Sequence, residues 1–157
     1  MVISTLLAPY CVKLFHQRWY MLGRFQDSGK LGVFAFDRIA GVKVEDEKFT
    51  IDEDFDATEY FCDSYGIVVD SRMEVQRIVL RAYGTESYYL RDLPMHHSQR
   101  IINATDEYTD FELRLRPTPD FKAQLLSRGQ WIGVLEPQSL ADEIVAWHQE
   151  AINRYKK

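Results

Sequence analysis

The sequence predicts a mixed α/β (α+β) chain, a small β-barrel followed by a ferredoxin-like βαββαβ unit with one added C-terminal helix. Three observations carry that prediction. Residues 2–44 hold short runs of alternating apolar and polar residues separated by tight turns, the pattern of a small all-β unit. From residue 74 the rhythm changes to strand-length runs that alternate with helix-length ones, which a sheet covered by helices requires. Between the two lies a stretch dense in Asp and Glu, read as a linker.

Residues 2–8 read as a strand ended by Ala8-Pro9, because the residue before a proline favours extended geometry. Residues 12–15 and 19–25 form the next hairpin, with His16-Gln17 as its turn. Asp27-Ser28-Gly29-Lys30 is a turn by composition. Residues 31–36 and 39–44 follow as two further strands. Asp54 or Asp56 can N-cap a short helix whose apolar side is Phe55, Tyr60 and Phe61.

In the second half, residues 75–82 alternate as a strand with one packed face. Residues 85–93 read as a helix stopped by Pro94, and 99–104 and 109–116 as two strands about a turn at 105–108. Residues 119–129 begin with Pro119 and end on Gly129, the asymmetry of a helix start and stop. Residues 131–135 form the fourth strand. Residues 138–155 form the longest helix, with Leu140, Ile144, Trp147, Ala151 and Tyr155 as one buried stripe. The order β-α-β-β-α-β-α is the split βαβ arrangement with one helix appended. The domains expected are residues 1–50, a linker at 51–73, and residues 74–157.

Composition narrows the function. The 157 residues are 46% apolar and 27% charged, as in ordinary globular proteins. No run approaches the roughly 18 apolar residues of a membrane helix. Nor does the start, Met1 to Pro9, have the basic region of a secretory leader. Cys11 and Cys62 are too few for a disulfide framework, so both read as reduced thiols of a cytoplasmic protein. Five residues along a strand separate Cys11 from His16 and put them on opposite faces, which argues against a nucleophilic thiol.

The net charge of −5 conceals a segregation. Residues 1–43 carry six Lys and Arg against Asp27 and Asp37, whereas residues 44–63 carry nine acids against Lys48 alone. The acidic run reads first as a solvated face, and it argues against a uniform basic surface for duplex DNA. Catalytic signatures are missing: there is no glycine-rich phosphate loop, nucleophile elbow or carboxylate pair. His96-His97 invites a metal, yet adjacent extended side chains diverge and no further ligand lies at finger spacing. No metal, no cofactor and no enzymatic activity are expected. Trp131, Trp147, Phe111 and Phe121 read as core of the second unit, while Tyr10, Tyr20 and Trp19 are the better stacking candidates, Trp19 reading first as core of the first unit.

Several segments together resemble a known family. Pro9-Tyr10, Trp19-Tyr20-Met21 and Phe34 with Asp37-Arg38-Ile39 are similar, in order and spacing, to the signatures of the WYL domain of bacterial transcription regulators. Residues 94–99, Leu126-Ser127-Arg128-Gly129 and Val134-Leu135-Glu136-Pro137 resemble landmarks of the WCX extension that follows it. The resemblance implies an SH3/Sm-like barrel that senses a ligand, and a regulatory, dimerising role. In that role a ligand in the barrel groove biases two arrangements of a homodimer and so controls operator binding by a helix-turn-helix preceding this chain. The groove residues it implies are Tyr20, Arg24, Arg38, His16 and Arg18. The ligand would be a small anion or a single-stranded nucleic acid.

The chain departs from the family pattern at two places. Arginines usual two positions before Phe34 and directly after it are replaced by Gly32 and Ala35, and two charge-assisted donors go with them. A first strand and the helix-turn-helix usual before residue 2 are also missing, so the chain reads as the C-terminal part of a regulator, with an open sheet edge. The alternative kept beside this is a protein-interaction or oligomerisation module without a ligand.

Overall fold

The protein is described from a computed structural model over residues 4–156. The chain divides into two compact units between Cys62 and Asp63.

The first unit is built on a three-stranded antiparallel sheet in the order β1-β2-β3. These are Leu7–Phe15, Arg18–Phe25 and Leu31–Ala35. The two segments expected at residues 2–8 and 12–15 are, in the described part, one strand; residues 2 and 3 lie outside the described residues. A bulge between Pro9 and Cys11 absorbs the proline, which cannot donate to a ladder. His16 and Gln17 form the tight turn expected, both with positive φ (48° and 62°), as a two-residue hairpin of matching twist requires. After β3 a 3-10 turn covers Phe36–Arg38.

Residues 39–44 form no strand, contrary to the alternation in the sequence. Val42 and Val44 are exposed, the latter at 89%, and the segment has no ladder partner among the described residues. Helix α1, Ala57–Phe61, is capped by Asp56, whose carboxylate accepts from Glu59 N at 2.9 Å.

The second unit is a four-stranded antiparallel sheet in the order β5-β6-β4-β7, the arrangement expected of a split βαβ unit. Its elements are β4 Gln76–Tyr83, α2 Thr85–Asp92, β5 Arg100–Ala104, β6 Tyr108–Leu115, α3 Pro119–Ser127, β7 Ile132–Glu136 and α4 Gln138–Tyr155. Alternation puts Ile78, Leu80 and Ala82 of β4 and Phe111, Leu113 and Leu115 of β6 on one face. There they join Leu90, Phe121, Leu125, Ile132, Leu140 and Ile144 in one core.

Phe111 and Phe121 are core as expected, but Trp131 and Trp147 are exposed at 48% and 38%. The helix stripe is buried only over its first half. Leu140 and Ile144 reach the core, whereas Ala151 and Tyr155 stand in solvent.

The other face of this sheet is ionic. Glu112, only 3% exposed, accepts from Arg77 at 2.6 Å and Arg100 at 2.5 Å. Asp110 takes both forks of Arg81 at 2.7 and 2.9 Å. Arg81 in turn lies 3.6 Å over the Tyr108 ring, so the long arginine stems shield the strands.

One carboxylate ties the unit's leading segment to α3. Asp120 accepts from Ile67 N and Val68 N at 3.0 and 3.2 Å, and from Thr118 Oγ1 and Phe121 N at 2.6 and 3.0 Å. Arg116 makes a second tie, donating from its backbone N to Asp63 O at 2.8 Å and from its side chain to Asp63 and to Met73 O.

Candidate functional site

Alternation along β2 places Arg18, Tyr20, Leu22 and Arg24 on one face and Trp19, Met21, Gly23 and Phe25 on the other. The first face is the covered one. Leu22 is buried in it, and Tyr20 and Arg24 are half-buried. The cover comes from the acidic stretch. Phe55 meets the Tyr10 ring edge-on at 4.9 Å, and Lys13 Nζ sits 4.1 Å from the centre of the buried Phe61 ring.

On the opposite face Val12, Leu14 and Trp19 are exposed, Trp19 at 51%. Trp19 is therefore not a core residue. Directly across the ladder it faces Leu14, and the two make an apolar patch.

Three of the five predicted site residues share the covered face, but they do not form one cluster. Arg18 and Arg24 stand six residues apart, about 20 Å along a strand. At one end, Arg18 is bound by the Tyr20 side chain and by the Asp37 carboxylate, at 2.5 Å, which together hold its guanidinium more firmly protonated than usual. Asp37 thus serves Arg18 and not its sequence neighbour Arg38. Arg38 lies exposed in the 3-10 turn, with no ion-pair partner among the described residues. His16 sits in the hairpin turn and stacks on Phe15 at 4.1 Å.

At the other end, Arg24 spreads both terminal nitrogens over the Asp52 carboxylate, one of them at 3.2 Å. That fork-to-carboxylate contact, opposed by partial burial, raises the guanidinium further above its ordinary value. The guanidinium also lies 5.1 Å from the centre of the Tyr10 ring. Two polar atoms in this corner, Arg24 Nε and Tyr10 Oη, are buried and make no hydrogen bond.

Sequence reasoning missed Asp52, Phe55 and the pairing role of Asp37. The residues were visible in the chain, but nothing local connects Asp52 to an arginine 28 positions earlier.

The missing arginine at position 32 has a steric account. A Cβ on Gly32 would lie 2.9 Å from the Phe25 ring and 3.0 Å from the Phe34 ring. Those two rings pack edge to face at 5.4 Å, so any side chain at 32 requires both to move.

Chemically, Arg18, Tyr20 and Arg24 give the face hydrogen-bond donors. Burial pushes the Cys11 thiol up, with Lys13 opposing, which lowers its reactivity. Among the described residues no three His, Cys, Asp or Glu side chains converge as a metal site. No helix in the described part is long and apolar enough to cross a membrane.

Two domain families match the chain. The WYL domain matches residues 3–44 and the WCX domain residues 74–152. Among solved structures the chain is similar to proteasome accessory factor B/C (PafBC) of Arthrobacter aurescens, at 20% identity and a TM-score of 0.38. That alignment covers 88% of this chain and 21% of PafBC, so the chain spans about a fifth of that protein's length. No curated protein matches in sequence.

Proposed function

Since the chain belongs to the WCX-domain family and carries a WYL domain ahead of that domain, we propose that it is the effector-sensing and dimerising module of a bacterial transcription regulator. On this reading it is a cytoplasmic protein and not an enzyme. An anionic ligand engages the covered face of the first sheet, and the response passes to a DNA-binding helix-turn-helix outside this chain. The observation that carries the reading is the placement of Arg18, Tyr20 and Arg24 along one face of β2, which lines that face with guanidinium groups suited to an anion at either end and a ring suited to stacking between them. His16 stands in the hairpin turn before β2, and Arg38 in the 3-10 turn after β3.

Self-association is supported by β1. It is a nine-residue edge strand with Lys13 as its one charge, and such an edge invites pairing with a second copy. A second reading, an interaction module without a ligand, draws on the internal pairing of Arg18 and Arg24 and on the exposed Val12, Leu14 and Trp19.

Light scattering after size exclusion, repeated with a labelled single-stranded oligonucleotide, tests both. A dimer that binds the oligonucleotide supports the sensing module, and a dimer indifferent to any anionic ligand supports the second reading. A single species at the 18.5 kDa chain mass removes the dimerising role.

A further inference from the structure

The Arg24 corner combines three observations that belong together. The Asp52 carboxylate uses both terminal nitrogens of Arg24 and leaves Nε without an acceptor. Tyr10, 9% exposed, sets its ring 5.1 Å from the same guanidinium, and its buried hydroxyl likewise makes no hydrogen bond. Unmet buried donors are costly, and two of one kind call for an oxygen-rich acceptor.

The present partner of Arg24 is also an awkward one. Asp52 is followed by Glu53 and Asp54 within a stretch, residues 45–59, that carries eight acids, and like charges held together repel.

We propose that Arg24 and Tyr10 form an oxyanion-binding site for a phosphate or carboxylate group, that Asp52 is its resting occupant, and that a ligand binds by exchange for that carboxylate. The inference rests on the reading of the first unit as a ligand sensor, and it specifies what that ligand must present and displace. A group with an additional oxygen reaches Nε or the tyrosine hydroxyl, which Asp52 leaves unmet.

Exchange has a structural consequence. Asp52 O accepts from Phe55 N at 3.0 Å, and the Phe55 ring rests on Tyr10, so the departing carboxylate takes the Phe55 contact with it. The acids of residues 45–54 then move away from the site as the anion enters, which removes a source of repulsion. Asp56 still caps α1, and Phe61 stays buried, so release stops at the start of the helix.

The test follows the Arg24 Nε–Hε resonance in ¹⁵N-labelled chain during titration with inorganic phosphate and, in a parallel arm, with acetate. Sodium chloride keeps ionic strength constant in both. The expected result is a saturable shift of that resonance, with faster proteolysis within residues 45–54. Asp52→Asn should bind about fivefold more tightly, the upper worth of an exposed ion pair removed as competitor, and Arg24→Gln should not bind. A shift with phosphate alone assigns a phosphoryl ligand, and one with acetate as well assigns the wider oxyanion class. A response equal to that of chloride, or Asp52→Asn binding no more tightly than the unaltered chain, overturns the exchange. An oligonucleotide that binds the unaltered chain, Asp52→Asn and Arg24→Gln equally also overturns it, yet leaves the regulator reading standing with its ligand elsewhere.

Discussion

Replacing Arg38 by alanine offers the most direct reading of how much positive charge the first unit makes available to a nucleic acid. Arg18 and Arg24 each carry an aspartate, so of the three predicted groove arginines only Arg38 can release a counterion on contact with a phosphate. For single strands each such contact contributes about −0.7 to the slope of log affinity against log salt, so raising salt from about 50 to 200 mM weakens binding by only about 2.6-fold. Arg38→Ala should flatten the remaining slope. Asp37→Asn with Asp52→Asn frees both other guanidiniums and raises the counterion-releasing contacts from one to three, since a phosphate that exchanges for Asp52 releases no net counterion. The same salt change then weakens binding by about 18-fold, and affinity at low salt rises. Fluorescence anisotropy of a labelled oligonucleotide, titrated at several salt concentrations, measures all three slopes. A slope in the unaltered chain steeper than about −2, or one that Arg38→Ala leaves unchanged, refutes the reasoning. Either would mean that groups other than Arg38 supply the counterion-releasing contacts.

Three further outcomes follow from the geometry. Leu80→Ala, at a fully buried position that faces Phe111 on one side and Val134 on the other, should cost about 3–5 kcal/mol in urea unfolding of the second unit; a loss under about 1 kcal/mol would mean this core is not packed as described. Asp110 is held below the usual carboxylate range, chiefly by Arg81 and against the effect of burial. Its folded value lies under its unfolded one, so its contribution is present above the ordinary carboxylate pKa and is lost as pH falls through the folded value. Asp110→Asn should therefore flatten the acid limb of a stability–pH profile below about pH 4, and an unchanged limb would contradict the Arg81 pairing. Gln17→Gly should stabilise the hairpin by about 1 kcal/mol, because Gln17 holds a left-handed φ that glycine adopts without strain. Thermal unfolding checks this, and a lower midpoint would count against the turn.

How far the sequence could be read depended on whether the signal was local. The long helix begins and ends where its spacing and Pro137 place it, at Gln138 and Tyr155, and the His16-Gln17 turn falls where it was expected. Both are decided by neighbours within a few positions. The run at 39–44 alternates as well as any strand, but a strand needs a ladder beside it, and alternation does not supply one. Trp19 and Trp147 illustrate the same limit for burial. A large ring at an apolar position says nothing about whether another element arrives to cover it. In the site, Arg18, Tyr20 and Arg24 came from the family resemblance, and the two-residue period of a strand is what sets them on one face. Their partners were not, since Asp37 and Asp52 come from 19 and 28 positions away. Gly32 was legible as a departure from the family pattern, and its cause, two rings folded over the position, only in three dimensions.

The ties made by Asp120 and Arg116 decide where this chain can be cut. The WCX match opens at residue 74, and a fragment begun there would discard Asp63, Ile67, Val68 and Met73. Asp120 would lose two backbone donors, and Arg116 every acceptor described for it. Beginning at Asp63 keeps all of them. The compact second unit is therefore longer than its sequence signature, and its first eleven residues are a strap belonging to the body that follows.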